Sequence, residues 1–209
     1  MNNPLRRPFR YRYDNVVLYL IGLNVLFFAL QWLFPRISAY MALNPVLVLR
    51  GWVWQFVTYM FAHGGISHLL FNMLALFIFG TQVERQMGSR EFLVYYLVTG
   101  LLAGFFSFVV YWVTGAYGVF LLGASGALFA VQLAYAVFFP NSVVYIWGIL
   151  PLRAPVMVLG FTAVELFSSI FGMKSGVAHL THLAGFAFGW LYFLARFSMN
   201  PWRCLTGRH

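Results

Sequence analysis

An all-α membrane protein built from six membrane-crossing helices is the fold class this 209-residue sequence predicts, on three observations. Hydrophobic residues make up 62% of the chain and charged residues 8%, against roughly 25% charged in ordinary soluble domains. The apolar residues fall into runs near the ~20 residues needed to cross a bilayer core. Basic residues gather at alternate ends of those runs. A soluble core of this size has no room for 24 Phe, 12 Tyr and 7 Trp. The net charge of +9 is therefore read by position, as an orientation signal, and no nucleic-acid partner is expected. The single cysteine, Cys204, gives no disulfide framework, and the basic start is not followed by a cleavage site of signal-peptide type.

The first run is Val16 to Phe34, after a short basic N-terminus over residues 1–15. A semi-apolar segment rich in Trp and Tyr then covers about residues 35–65. Too broken to cross, it is expected at the interface, because Trp and Tyr prefer the headgroup level. The second run, Ile66 to Val83, stops at Glu84-Arg85, and the third runs from Phe92 to Val113. The fourth, Ser125 to Phe139, is short and ends at Pro140. Pro155 to Phe171 and Ala178 to Phe197 complete the six, so the membrane domain covers 16–197 and a short tail covers 198–209. Ten of the thirteen basic residues lie on the side of the termini, and only Arg36, Arg50 and Lys174 lie on the other. Lys and Arg favour the inside, so both termini are predicted to be cytoplasmic.

Polar groups inside a bilayer are costly, and each one is a candidate for function. His68 and Asn72 lie in the second run, Ser125 opens the fourth, and His179 and His182 lie in the sixth. With both termini inside, these three runs all point inward from the outer face. At ~1.5 Å per residue, His68, Asn72, Ser125 and His182 fall within about 10 Å of the outer ends. His68 and Asn72, four apart, share a helix face. The glycines Gly123 and Gly126 around the serine, and Gly185 and Gly189 after His182, are expected to let helices four and six approach closely. That approach brings Ser125 within reach of His182, the geometry of a hydroxyl nucleophile activated by an imidazole base. His68, Asn72 and the Ser125 backbone N–H are the donors available to an oxyanion. Of the acids, Asp14, Glu84 and Glu91 lie at the far side, and Glu165 is not excluded by depth; a Ser–His dyad without a carboxylate is the favoured reading.

These residues resemble the rhomboid intramembrane serine proteases. "GASG" (Gly123 to Gly126) matches the family's GxSG motif, "HLLFN" (His68 to Asn72) its HxxxN motif, and "HLAGFAFG" (His182 to Gly189) its last-helix histidine with GxxxG. The resemblance implies a six-helix rhomboid-like bundle with Ser125 as nucleophile, His182 as general base, and His68, Asn72 and the Ser125 N–H as the oxyanion site. It implies structural roles for Glu84 and Arg85, and a partly embedded hairpin at about 35–65. It also implies single-span membrane-protein substrates, hydrolysis through an acyl-enzyme, and a bacterial inner membrane with the site open to the outer side. Two positions depart from the family pattern. Gln55 follows Trp54 where Arg is frequent, and Phe129 stands where some members stack a tyrosine on the histidine.

Each of these residues also has a structural reading. A glycine-flanked membrane serine is more often a packing residue, and His179 and His63 are expected to face water or interface. A metal on His68, His179 and His182 is not expected, since no acid or cysteine stands at metal spacing in the sequence, and no cofactor is called for. A non-catalytic rhomboid-like binding or quality-control protein is the alternative function, disfavoured because the serine and the histidine are both present. The glycine-bearing segment Gly172 to Val177 is expected to cap the site, with helix five yielding to admit a substrate. The oligomeric state is not legible.

Overall fold

The computed structural model describes residues 8–146, 148–171 and 176–206. All six apolar runs are helical. We label the elements α1 (Val16–Leu33), α2 (Arg36–Met41), α3 (Pro45–Leu49), α4 (Gln55–Thr58), α5 (Ile66–Met87), α6 (Ser89–Val113), α7 (Ser125–Phe138), β1 (Val143–Ile146), β2 (Leu150–Arg153), α8 (Ala154–Ile170), α9 (Gly176–Tyr192) and α10 (Pro201–Leu205). α5 carries a π-helical stretch at Leu76–Gly80, and α9 continues into another at Phe193–Phe197. Among the described residues α1, α5 and α6 have both the length and the apolarity to cross a membrane, while α7 and α8 are shorter apolar helices. Large side chains such as Trp32, Ile66, Val113, Val164 and Ile170 are exposed around the outside, as lipid allows and water does not.

The bundle centres on α7. Its Gly126, Ala127, Leu128, Ala130, Val131, Leu133, Ala134, Ala136 and Val137 are all buried, and α9, α6, α8 and α5 pack around it. At 14 residues α7 is about 21 Å long, short of a ~30 Å hydrocarbon core. The chain therefore reaches its start through a non-helical stretch, 114–124, that enters the protein from one end. Leu121 on that stretch pairs with Leu43 through two backbone hydrogen bonds of 2.8 and 2.9 Å. Ser125 thus opens the helix directly after this non-helical stretch.

The 35–65 segment is folded in three short α-helices and a 3-10 turn at Tyr59–Phe61, held by two buried amides. Asn44 caps α3 by accepting from the Val46 and Leu47 N–H groups, and its Nδ2 donates to the Tyr117 and Val119 carbonyls. Gln55, fully buried, accepts from the Asn44 N–H and donates to the Ala39 and Tyr40 carbonyls. Glutamine at this position is explained by that pattern, since it needs one acceptor and a donor, which arginine does not supply.

One element departs from the all-α expectation. Between α7 and α8 the chain forms a two-stranded antiparallel hairpin, with Val143 opposite Arg153 and Ile146 opposite Leu150. Its β-branched and aromatic "VVYI" favours an extended backbone, and Gly148 takes the positive φ of 71° that the turn requires. Four-residue strands are too short to show as a clear alternation in so apolar a sequence.

α1 begins without a side-chain cap of its own, Asn15 being left-handed at φ 57°. Glu84 of α5 supplies one instead. Its carboxylate, fully buried, accepts from the Val16 N–H at 2.7 Å and the Val17 N–H at 3.0 Å, and it receives a short hydrogen bond from Ser89 Oγ. Charged hydrogen bonds to orphan helix N–H groups are worth ~1.5–3 kcal/mol each. Glu84→Ala is therefore expected to lower unfolding stability by about 2–4 kcal/mol without touching the site, read as a lowered Tm in detergent. Glu91 makes a second anchor: it accepts from Arg196 Nε at 2.8 Å and Arg196 Nη2 at 2.9 Å, and from the Phe9 N–H at 3.1 Å. That carboxylate joins the N-terminal segment, the start of α6 and the end of the last long helix at one end of the molecule.

Candidate active site

Ser125 is the first residue of α7, so its backbone N–H has no acceptor within the helix. Its Oγ lies 2.7 Å from His182 Nε2. The approach behind that distance depends on absent side chains. A Cβ on Gly185 would run into the backbone carbonyl of Gly126, and one on Gly189 would meet Tyr95 Oη at 2.7 Å and Ala130 Cβ at 2.9 Å. Gly126 itself lies against Thr181 of α9 and Ala103 of α6. Phe129, one turn after the serine, stacks flat on the His182 ring, with centroids 4.7 Å apart and planes 8° from parallel. Phenylalanine supplies the whole stacking face.

Gly123 sits differently from the expected contact with the last helix. Its φ of 115° suits glycine, and the space beside it is taken by His68 and Asn72 of α5, whose His68 Nε2 would stand 2.7 Å from an added Cβ. His68 Nδ1 faces the Gly64 N–H at a long 3.5 Å, an arrangement that leaves the proton on Nε2. Asn72 Nδ2 is buried and has no hydrogen-bond partner among the described residues. Two side-chain donors thus converge beside the residues leading into Ser125. They border a cavity of about 320 Å³ lined by His68, Asn72, Gly123, Ser125, Phe129, Gln132 and His182, among others. Gln132, for which the sequence carries no signal, also lines this cavity, and its Oε1 is buried without a hydrogen-bond partner among the described residues.

Glu165, which depth alone leaves open, is placed by the packing of α8. α8 packs on α9, and the Glu165 carboxylate reaches both histidines of α9. Oε2 makes a short hydrogen bond with His179 Nδ1, and Oε1 lies 3.0 Å from His182 Nδ1, close but off the line of a well-aligned hydrogen bond. His179 is accordingly held by an acid of the neighbouring helix, with its side chain partly buried. The grouping also removes the reason given against a metal. Donor atoms of Glu165, His179 and His182 lie within 4.8 Å of one another, a set chemically able to ligate an ion, although here hydrogen bonds within the protein already engage it. The segment expected as a cap lies, at 172–175, outside the described residues.

His63 is buried too, at 3% exposure, with its ring edge-on to His68 at 5.1 Å. Burial, reinforced by His68, pushes its pKa down from 6.5 to about 4. A base whose folded pKa is depressed takes up its proton more readily unfolded, so stability is full above pH 6.5 and lost as pH falls toward 4. The loss reaches at most ~3 kcal/mol. The stability of the wild type should fall between pH 7 and pH 5 more than that of His63→Phe, as measured by thermal melts in detergent.

Fold and site together define a polytopic helical membrane protein with a serine–imidazole pair beside a partly open cavity that carries a few polar groups. The chain belongs to the rhomboid family: the rhomboid domain matches residues 50–199. It is 31% identical over 140 residues to the rhomboid protease GlpG of Haemophilus influenzae, covering 67% of this chain and 68% of that one. It is 29% identical over 164 residues to the rhomboid protease AarA of Providencia stuartii, covering 71% and 58% respectively. Over 98 residues it is 42% identical to the rhomboid protease GluP of Bacillus subtilis, a match spanning 46% of this chain but 19% of that longer protein. Family membership and the apolar helices make this an integral membrane protein.

Proposed function

We propose that this protein is an intramembrane serine endopeptidase that cuts single-span membrane proteins in or beside their membrane segment. The observation that carries the reading is the 2.7 Å approach of Ser125 Oγ to His182 Nε2 beside unpaired donors. In this mechanism Ser125 Oγ attacks the scissile carbonyl carbon while Nε2 takes its proton. The electron pair displaced onto the carbonyl oxygen is received by the Ser125 N–H, Asn72 Nδ2 and His68 Nε2. Collapse of the tetrahedral species breaks the C–N bond, the imidazolium returns the proton to the leaving amine, and an ester on Ser125 remains. Water, deprotonated by the same imidazole, hydrolyses that ester and frees the serine.

In this reading six helices cross the bilayer, both termini lie in the cytoplasm of a bacterial inner membrane, and the cavity opens outward. Supporting it, ten of thirteen basic residues fall on one side, and Glu91 ties the N-terminal segment to Arg196 at the chain's other end. The shortness of α7 supports water access, because it leaves Ser125 below a loop that lipid does not fill. A fluorophosphonate probe tests the chemistry without a known substrate. Wild-type protein in liposomes should be labelled at Ser125 and His182→Ala should not. Absence of label from an intact wild-type fold would instead favour a non-catalytic rhomboid-like binding protein.

A further inference from the structure

We propose that Glu165 is a positioning residue for His182, holding the imidazole in the tautomer whose Nε2 lone pair faces Ser125; the proposal rests on the reading of Ser125 and His182 as the reacting pair. A neutral imidazole has one N–H and one lone pair, and only the lone pair accepts the serine proton. Ser125 Oγ lies at Nε2, so the productive tautomer carries its proton on Nδ1. That Nδ1 is buried and makes no well-aligned hydrogen bond among the described residues, and Glu165 Oε1 stands 3.0 Å from it. The opposite tautomer would set an Nδ1 lone pair against a carboxylate and put a proton where the base must be empty. When His182 becomes an imidazolium, the same carboxylate faces the new charge across a water-poor gap, where attraction is strong.

Three features keep the acceptor and the ring in register. His179 Nδ1 holds the other carboxylate oxygen, so Glu165 is tethered at Oε2 while Oε1 faces His182. Phe129 stacks flat on the His182 ring and restricts its rotation. Depth agrees as well: Glu165 lies five residues before the end of α8 and His182 six after the start of α9, about 8–9 Å from the same end of the bundle. A rival account makes Glu165 only a clamp between α8 and α9. A clamp answers to stability and substrate binding, whereas a positioning residue answers to the chemical step.

The experiment compares full-length wild type, Glu165→Gln, Glu165→Asp, His179→Ala and Ser125→Ala in liposomes, on a model single-span substrate and with a fluorophosphonate. Glu165→Gln should lower kcat about 10- to 100-fold with KM changed less than about twofold, and should slow Ser125 labelling by the same factor, because a neutral amide neither fixes the tautomer nor balances the imidazolium. Glu165→Asp should recover part of kcat, and His179→Ala, which loosens the tether at Oε2 but keeps the carboxylate, should lower kcat by a clearly smaller factor than Glu165→Gln. Wild-type kcat and labelling in Glu165→Gln, with Ser125→Ala inactive, overturns the proposal and leaves the Ser–His reading standing. Equal losses in Glu165→Gln and His179→Ala also overturn it, in favour of the clamp. Should Glu165→Gln fail to fold, Glu165→Asp decides: a lowered kcat at unchanged KM supports positioning, and a wild-type kcat refutes it. Active Ser125→Ala refutes the underlying reading instead.

Discussion

Ser125→Ala should abolish cleavage of a single-span substrate, with a fall of at least ~10³-fold at unchanged substrate binding. The size follows from what is removed. Among the described residues no other hydroxyl is bonded to His182 Nε2, and without Oγ there is neither a nucleophile nor an ester intermediate. Water held by the same imidazole is the only replacement, and it lacks the fixed 2.7 Å placement that makes attack effectively intramolecular. His182→Ala should lose as much, and the double variant little more, since the two act as one unit. Gel-based cleavage in liposomes measures this. Undiminished cleavage by Ser125→Ala would end the serine-protease reading.

Gly185→Val should disrupt the molecule rather than tune it. The added Cβ meets the Gly126 backbone, which has no flexible end to move aside, so α7 and α9 must separate. Overpacking of this kind typically costs ~1–3 kcal/mol, and the cost rises where two backbones collide. The same separation pulls His182 from Ser125, so activity should fall below about 1% even in protein that still folds, given what an ångström of misplacement does to catalysis. Gly22→Ala is the internal control. Nothing lies within 4 Å of a Cβ there, in the middle of α1, and the change should be neutral or stabilising by up to ~1 kcal/mol. Paired thermal melts and cleavage rates of both variants check the contrast, and an active, wild-type-stable Gly185→Val would refute the packing argument.

Legibility differed from element to element. The apolar runs announce their helices because twenty greasy residues have one stable form in lipid, where every backbone group must be satisfied internally. The β1–β2 hairpin did not announce itself, since its strands are four residues long and its neighbours equally apolar. The Glu84 cap was invisible because the N–H groups it satisfies lie 67 and 68 residues away in sequence.

By itself the sequence ranked positions along the helices and set which residues of one helix share a side. A rise of ~1.5 Å per residue ranks Ser125, His68, Asn72 and His182 at one level, and four-residue spacing sets His68 and Asn72 on one side of α5. It left open how each helix is turned about its own axis, which no local pattern specifies in a helix as evenly apolar as α8. Packing set that angle. It turned Glu165 toward His182 and His179, where the sequence reading had preferred a dyad, and it gave the room at Gly123 to His68 rather than to the last helix. Burial drives that choice, because a carboxylate among apolar neighbours is stable only where polar partners meet it.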